Sequence, residues 1–430
     1  MRKTILSIYL FSIALIATAQ LTSNSGKFYT SFSGIDYVFV FNGITPSTEI
    51  TYTGTGTSIN WYKFTNPTIS ISNQSYISPD DATGYILNVD GKVTHIWVID
   101  YKNNLPVLST IEPENNPGSQ CEEVKLLIDA NIPQLTYKSV DGNPHILIRD
   151  FSIKYKTLTW DDKTTSWKQI DTIQTLILPA TQKSVPAPFC NTSFTLSGDQ
   201  FATDLGLAPI SISSSQYTPV AVICHATSIV TIRDAKNEAE RPSQASQVSG
   251  SAPLDMQFLS NANEPITQYY NWGIYQDNKL VINRTDKDHR YTFTQAGTYK
   301  VKVTVSNSTC SFSDSITVTV SESDIWVPNV FTPNGDGFND EFRVAYKSLI
   351  SFQCWVYNRW GRLVFTWTDP TKGWDGKING KDAIAGPYFY VIKAYGSDFD
   401  PNSKPNPITK ERTGEKLRKG DINLLRGVGN

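Results

Sequence analysis

The stretch YTFTQAGTYKVKVTVSNSTCSFSDSITVTV, Tyr291 to Val320, carries a clear two-residue period. Tyr299, Val301, Val303 and Val305 alternate with Lys300, Lys302 and Thr304. The pattern returns with Ile316, Val318 and Val320 against Ser315, Thr317 and Thr319. A period of two places one set against a core and the other in water, which is the signature of paired, half-buried strands. Similar alternation, rich in Val, Ile, Thr, Tyr and Phe and punctuated by Gly, Asn, Asp and Pro, runs through almost the whole chain. No helical stripe of three turns follows the N-terminal apolar run, so the expected fold class is all-β, as β-sandwiches in series.

Length sets the number of such units. At 430 residues, with about 100 to 200 residues per domain, three or four are expected. The 38 Lys and Arg against 40 Asp and Glu leave a net charge of -2, which argues against nucleic acid as a partner.

At the N-terminus, Arg2 and Lys3 precede ILSIYLFSIALIA and the small residues Ala17-Thr18-Ala19. This pattern predicts a cleaved secretory signal peptide over residues 1–19. The run is short for a membrane anchor and no Cys stands at the cleavage point to take a lipid. No later stretch reaches 18 uninterrupted apolar residues, so no membrane-crossing helix is expected in the mature protein. Export places the five cysteines, 121, 190, 224, 310 and 354, where disulfides can persist. Cys190 and Cys224, 34 positions apart, are the candidate bridge, the other reading being small buried apolar residues.

Four modules are expected after the leader. Residues 20–118 contain the Trp61 strand INWYKF and the corner Asp81-Ala82-Thr83-Gly84-Tyr85, which together resemble an immunoglobulin-like sandwich. Residues 121–234 form a second β-sandwich, and DAKNEAERPSQASQ, polar and without apolar periodicity, reads as the linker that follows. Residues 245–322 resemble the polycystic-kidney-disease (PKD) repeat family in SGSAPL, in Trp272-Gly273 and in AGTYKVKVTVSN. That resemblance implies a spacer or adhesive role.

Residues 323–430 carry four ordered blocks: VPNVFTPNGDGFNDEF, FQCWVYNRWGRLVF, GWDGKINGKDAIAGPYFYVIKAYG and KGDINLLR. Together they resemble the gliding motility-associated C-terminal domain, the type B sorting signal of proteins exported by the type IX secretion system of Bacteroidota. The resemblance implies passage across the outer membrane, with the translocon and its accessory outer-membrane proteins as partners. Under that reading Lys419, Gly420, Asp421, Ile422, Asn423, Leu424 and Leu425 are the candidate recognition element. Equally, they form an ordinary edge strand, and the two readings are compatible because an edge offers unpaired backbone groups.

SDFDPNSKPNPITKERTGEK departs from the short hairpin common in the family, and its prolines at 401, 405 and 407 predict an extended, exposed excursion. Residues 401–430 hold seven Lys or Arg against three acids. A solvated loop is one reading of that basic tail, and contact with lipopolysaccharide, a surface glycan or a secretion component is the other.

Catalytic signatures are missing. The four histidines lack zinc spacing, and there is no nucleophile elbow, phosphate loop or Cys-x-x-Cys. Asp161 and Asp162 beside Trp160 and Trp167 fit a hairpin end better than a glycosidase pair. Asn334, Asp336 and Asp340 have the N-x-D-G-x-x-D spacing of some calcium loops, but Phe338 takes a ligand position of the EF-hand pattern. A Gly- and Asx-stabilised turn is the favoured reading, with calcium as the alternative and no other cofactor expected. The expected protein is non-enzymatic, outer-membrane-associated, surface-exposed or extracellular, and sorted by its C-terminal domain. Its alternatives are a structural or accessory subunit of the type IX secretion or gliding apparatus, held at the translocon by that domain, and a surface glycan-binding or glycan-degrading protein.

Overall fold

A computed structural model describes residues 20–115 and 120–426, so the expected leader lies outside the described residues. The chain groups into two compact units, Met1–Thr159 with Lys168–Pro219 and Trp160–Trp167 with Val220–Asn430. Both are built from β-sheets, as the alternation requires.

In the first unit, a five-stranded sheet runs in the order Lys27–Tyr29, Tyr37–Phe41, Lys92–Asp100, Thr83–Val89, Ile59–Lys63. One face packs around Trp61, Phe39, Phe41, Tyr85 and Leu87. The Tyr85 hydroxyl accepts from the Asp80 amide at 2.7 Å, closing the corner read from the sequence. Gly84 sits beneath the Phe64 ring, where a Cβ would come within 2.2 Å of it. The other face of this sheet is also covered: Val38, Val40, Trp97 and Ile99 meet Leu135, Tyr137 and Leu147. That double burial explains why YVFVF is apolar at every position.

The strand Val107–Pro113, placed by sequence in the first module, pairs instead with Glu123–Asn131. Arg149, Asp199 and Tyr101 form a buried polar cluster where these sheets share a core. The Arg149 guanidinium bonds the Asp199 carboxylate and the Asn104 and Pro133 carbonyls, while the Tyr101 hydroxyl donates to Asp199 at 2.9 Å.

In the second unit, the Tyr291–Val320 stretch folds as its period demands. Gly297–Ser306 buries Tyr299, Val301, Val303 and Val305 and pairs in register with Ser311–Val320. The five-stranded sheet around them packs on a three-stranded sheet through Trp272, Phe258 and Phe293. That smaller sheet includes Thr227–Val230, which the sequence reading assigned to the preceding module.

The segment read as a linker after 234 is a docked clasp rather than a free tether. The Ala239 amide donates to the Tyr346 carbonyl and the Tyr346 amide to the Asn237 carbonyl, at 2.7 and 3.1 Å. Glu238 is buried, with its carboxylate on Arg233 and Ser251. Its polar side chains are satisfied by fixed partners, which periodicity does not register.

The expected Cys190–Cys224 bridge is not formed. Both thiols are free, as is Cys354. Cys190 and Cys224 belong to different compact units, and sequence separation says nothing about the Cβ separation that a bridge requires.

The C-terminal module has a five-stranded sheet in the order Val330–Phe331, Glu415–Leu424, Gly386–Gly396, Leu349–Tyr357, Leu363–Trp367. Trp374 is fully buried at its centre and donates its indole N–H to the Lys377 carbonyl at 2.8 Å. Phe331, Phe342, Cys354, Ile392, Ile422 and Leu424 complete the core. Burial pushes the Cys354 thiol well above its ordinary range.

Candidate functional site

FTPNGDGFNDEF forms a turn wrapped around one carboxylate. Asp340 accepts from the amides of Asn334, Gly335 and Gly337 at 3.0, 2.6 and 2.8 Å. Those backbone bonds, that from Gly335 foremost, hold its carboxyl below the usual range. Asp336 accepts from the Phe338 amide and the Asn334 side chain, both at 2.8 Å. Gly335 and Gly337 stand at φ +81° and +86°, a conformation that L side chains rarely adopt. The oxygens of Asp336 and Asp340 that would serve calcium are therefore engaged with the loop itself. Among the described residues no group of three or more His, Cys, Asp or Glu is arranged to hold a metal.

Asp161 and Asp162 sit at a hairpin end. Asp161 accepts from the Lys163 amide and the Thr164 hydroxyl at 2.9 and 3.1 Å, while the Asp162 side chain is exposed.

The candidate recognition residues lie on Glu415–Leu424 and just beyond it. Ile422 and Leu424 are fully buried in the core, and Lys419 and Asp421 face solvent. Gly420 lies directly across from Tyr390, and a Cβ there would approach the Tyr390 hydroxyl to 2.6 Å. Any larger residue at 420 would require the Tyr390 ring to shift.

The register decides what each backbone group does. Asn423 and Leu425 turn their amides away from Gly386–Gly396, donating to the Asn329 and Phe331 carbonyls at 2.9 and 3.0 Å. At the other end, the Leu417 amide donates to the Glu411 carboxylate at 2.7 Å and the Glu415 amide to the Arg412 carbonyl at 3.0 Å. Alternate residues of a strand point the same way, so the Lys419 and Asp421 amides also face outward. Among the described residues neither finds an acceptor.

Two residues that the sequence reading did not single out hold this strand in place. Arg426 donates to the Gly376 and Ala383 carbonyls at 2.9 and 3.2 Å and lies 3.2 Å from Asp382. Glu411, on the long insertion, binds Arg418 at 2.9 Å as well as the Leu417 amide. The Arg in KGDINLLR was a legible signal; Glu411 had none, because its partners, the Leu417 amide and Arg418, are set by the fold of the insertion and not by sequence spacing. The insertion is exposed, as expected, but not extended. The Asp400 amide bonds the Thr413 carbonyl and the Asn406 amide the Glu411 carbonyl, folding it back on itself.

The family model "CHU_C Type IX secretion signal domain" matches residues 325–405. The model "Fibronectin type III domain" matches residues 113–214. The first match ends inside the insertion, before the terminal strand begins, and neither reaches residues 245–322. No curated protein matches the chain. Among solved structures, Sidekick-1 immunoglobulin domains 1-5 align over 88% of this chain and 75% of that one, at 10% identity and TM-score 0.22. A Dscam structure aligns over 95% and 99%, at 10% identity and TM-score 0.20. Dimeric latent PorU from Porphyromonas gingivalis aligns over 77% and 35%, at 10% identity and TM-score 0.16.

Residues 325–405 thus carry a type IX secretion signal domain, which supports export by that system to the cell surface or the extracellular space. A fibronectin type III domain joined to a secretion signal domain points to a non-catalytic protein. Among the described residues no helix is long and apolar enough to cross a membrane.

Proposed function

We propose that this is a binding protein of the cell surface whose residues 323–430 act as sorting and docking signal for type IX secretion. The observation that carries the reading is the match of 325–405 to the signal-domain family. Lys419, Asp421 and the neighbouring terminal strand are the part of the module we assign to recognition. Protease accessibility of the full chain on intact cells tests this, with and without active type IX machinery. Accessibility that depends on the machinery is expected; equal accessibility in both cells overturns the reading.

A second reading, an apparatus subunit that keeps its C-terminal domain, has one observation in its favour. The connection between the third and C-terminal modules is short and tied down. The Ser321 hydroxyl donates to Glu240, the Ser323 amide donates to Asp398 at 3.1 Å, and Ser323 is buried. A protease acting there would need local unfolding first. Mass spectrometry of the surface protein distinguishes the two: an intact C-terminus with stoichiometric translocon components supports the subunit, and a chain ending near residue 322 excludes it.

A further inference from the structure

Resting on the sorting reading above, we propose that the C-terminal module binds its secretion partner by strand addition at a window two residues wide, Lys419 and Asp421. A short extended segment of an outer-membrane secretion component would pair there.

The window is defined by what closes its two ends. Toward the C-terminus, Val330–Phe331 pairs in parallel with Asn423 and Leu424 and uses the outward groups beyond 421. Toward the N-terminus, the Glu411 carboxylate occupies the Leu417 amide. Between these caps the N–H groups of 419 and 421 point away from the sheet, and in an antiparallel ladder their carbonyls point with them. Two donors and two acceptors spaced along one line are complementary to an extended backbone, not to a helix, whose amides and carbonyls are already bonded to each other.

The same caps identify the occupant. The ten-residue terminal strand of a second copy, paired antiparallel about Gly420, would put its own Leu417 where Val330 pairs with Asn423. Self-association along this edge is therefore blocked, as natural edge strands commonly arrange. A segment of about three residues fits without displacing either cap, at roughly 3.3 Å per residue. A groove of about 650 Å³ opens next to the Val330 cap, with Trp326, Val327 and Pro328 on its apolar side and Asp340, Glu341 and Arg343 on its polar side, and offers a mixed seat for a side chain of that segment.

Proline isolates the backbone term. At 419 or 421 it removes an outward N–H that the ladder with Gly386–Gly396 does not use, which an edge strand tolerates. Full-length Lys419→Pro and Asp421→Pro are compared with Lys419→Ala and Asp421→Ala. The readouts are protease accessibility on intact cells and the thermal unfolding of each purified chain.

We expect each window proline to lower surface delivery about tenfold with an unchanged unfolding temperature. The alanines, which keep both outward backbone groups, should stay within about twofold of wild type. Window prolines that fold and are delivered like wild type overturn strand addition. Alanines that lose as much as the prolines overturn it too, in favour of side-chain recognition. If both window prolines unfold the chain, the outward amides belong to the fold and the proposal fails. Delivery of wild type that does not need the type IX machinery defeats the sorting reading instead, so the two failures are distinguishable.

Discussion

The clasp after Asp234 and the insertion after Gly396 are alike in composition: polar, rich in Asx, Ser, Pro and charge, and free of apolar periodicity. One is docked between two modules and the other stands in water. Glu238, in the clasp, is 7% exposed, whereas Ile408, at the insertion tip, is 88% exposed. Polarity alone did not decide where either went. The clasp offers Asn237, Glu238 and Ala239 to fixed partners on Tyr346, Val344, Pro370 and Arg233, so its polar groups can leave water without loss. The insertion bonds mostly to itself and reaches the sheet through Glu411. A polar segment is buried when the surface it meets supplies its hydrogen bonds.

Four experiments sharpen or break this contrast. Glu238→Ala strips a buried carboxylate from Arg233 and Ser251 and is expected to destabilise the second unit by about 3 kcal/mol in denaturant unfolding. A loss below about 1 kcal/mol, the exposed-pair range, would erase the distinction between clasp and insertion. Asn237→Ala removes side-chain bonds to the Val344 and Pro370 carbonyls, and about 1–2 kcal/mol is expected by the same measurement.

The third is a pH dependence. A hydrogen bond from Lys347, and then one from Ser321, lowers the Glu240 carboxyl below its ordinary value of 4.5. Its folded value lies below its unfolded one, so the stabilisation is complete above the ordinary value and is lost as pH falls through the folded value. The unfolding midpoint should fall on acidification through that window, and Glu240→Gln should flatten the slope. Because this carboxylate is half-exposed, the effect is smaller than those of the buried neighbours. Smallest is replacement of residues 401–410 by a short Gly-Ser turn, which keeps Glu411 and is expected to change stability by less than about 1 kcal/mol. A larger loss would mean that the insertion supports the sheet as the clasp does.

Period-two burial was readable wherever one strand face is wet, as in Gly297–Ser306, whereas Trp374, read only as part of a turn signal, is the buried centre of the C-terminal core. Partner choice between strands was less readable. Val107–Pro113 and Thr227–Val230 alternate correctly yet belong to sheets other than those expected, because any alternating strand suits many neighbours until packing selects one. The candidate recognition residues were named as a block, but the ladder divides them. Ile422 and Leu424 serve the core, Gly420 makes room for Tyr390, and Lys419 and Asp421 alone in that strand leave outward amides without an acceptor among the described residues.

What the amino-acid sequence determined by itself is the all-β class and the type IX signal blocks, since these rest on local period, turn chemistry and ordered motifs. Tertiary structure alone decided which thiols stay free, which polar segment is buried and which backbone groups remain open. Each of those depends on what lies across space from a residue, and hydrogen bonds and disulfides form by distance and direction rather than by position along the chain.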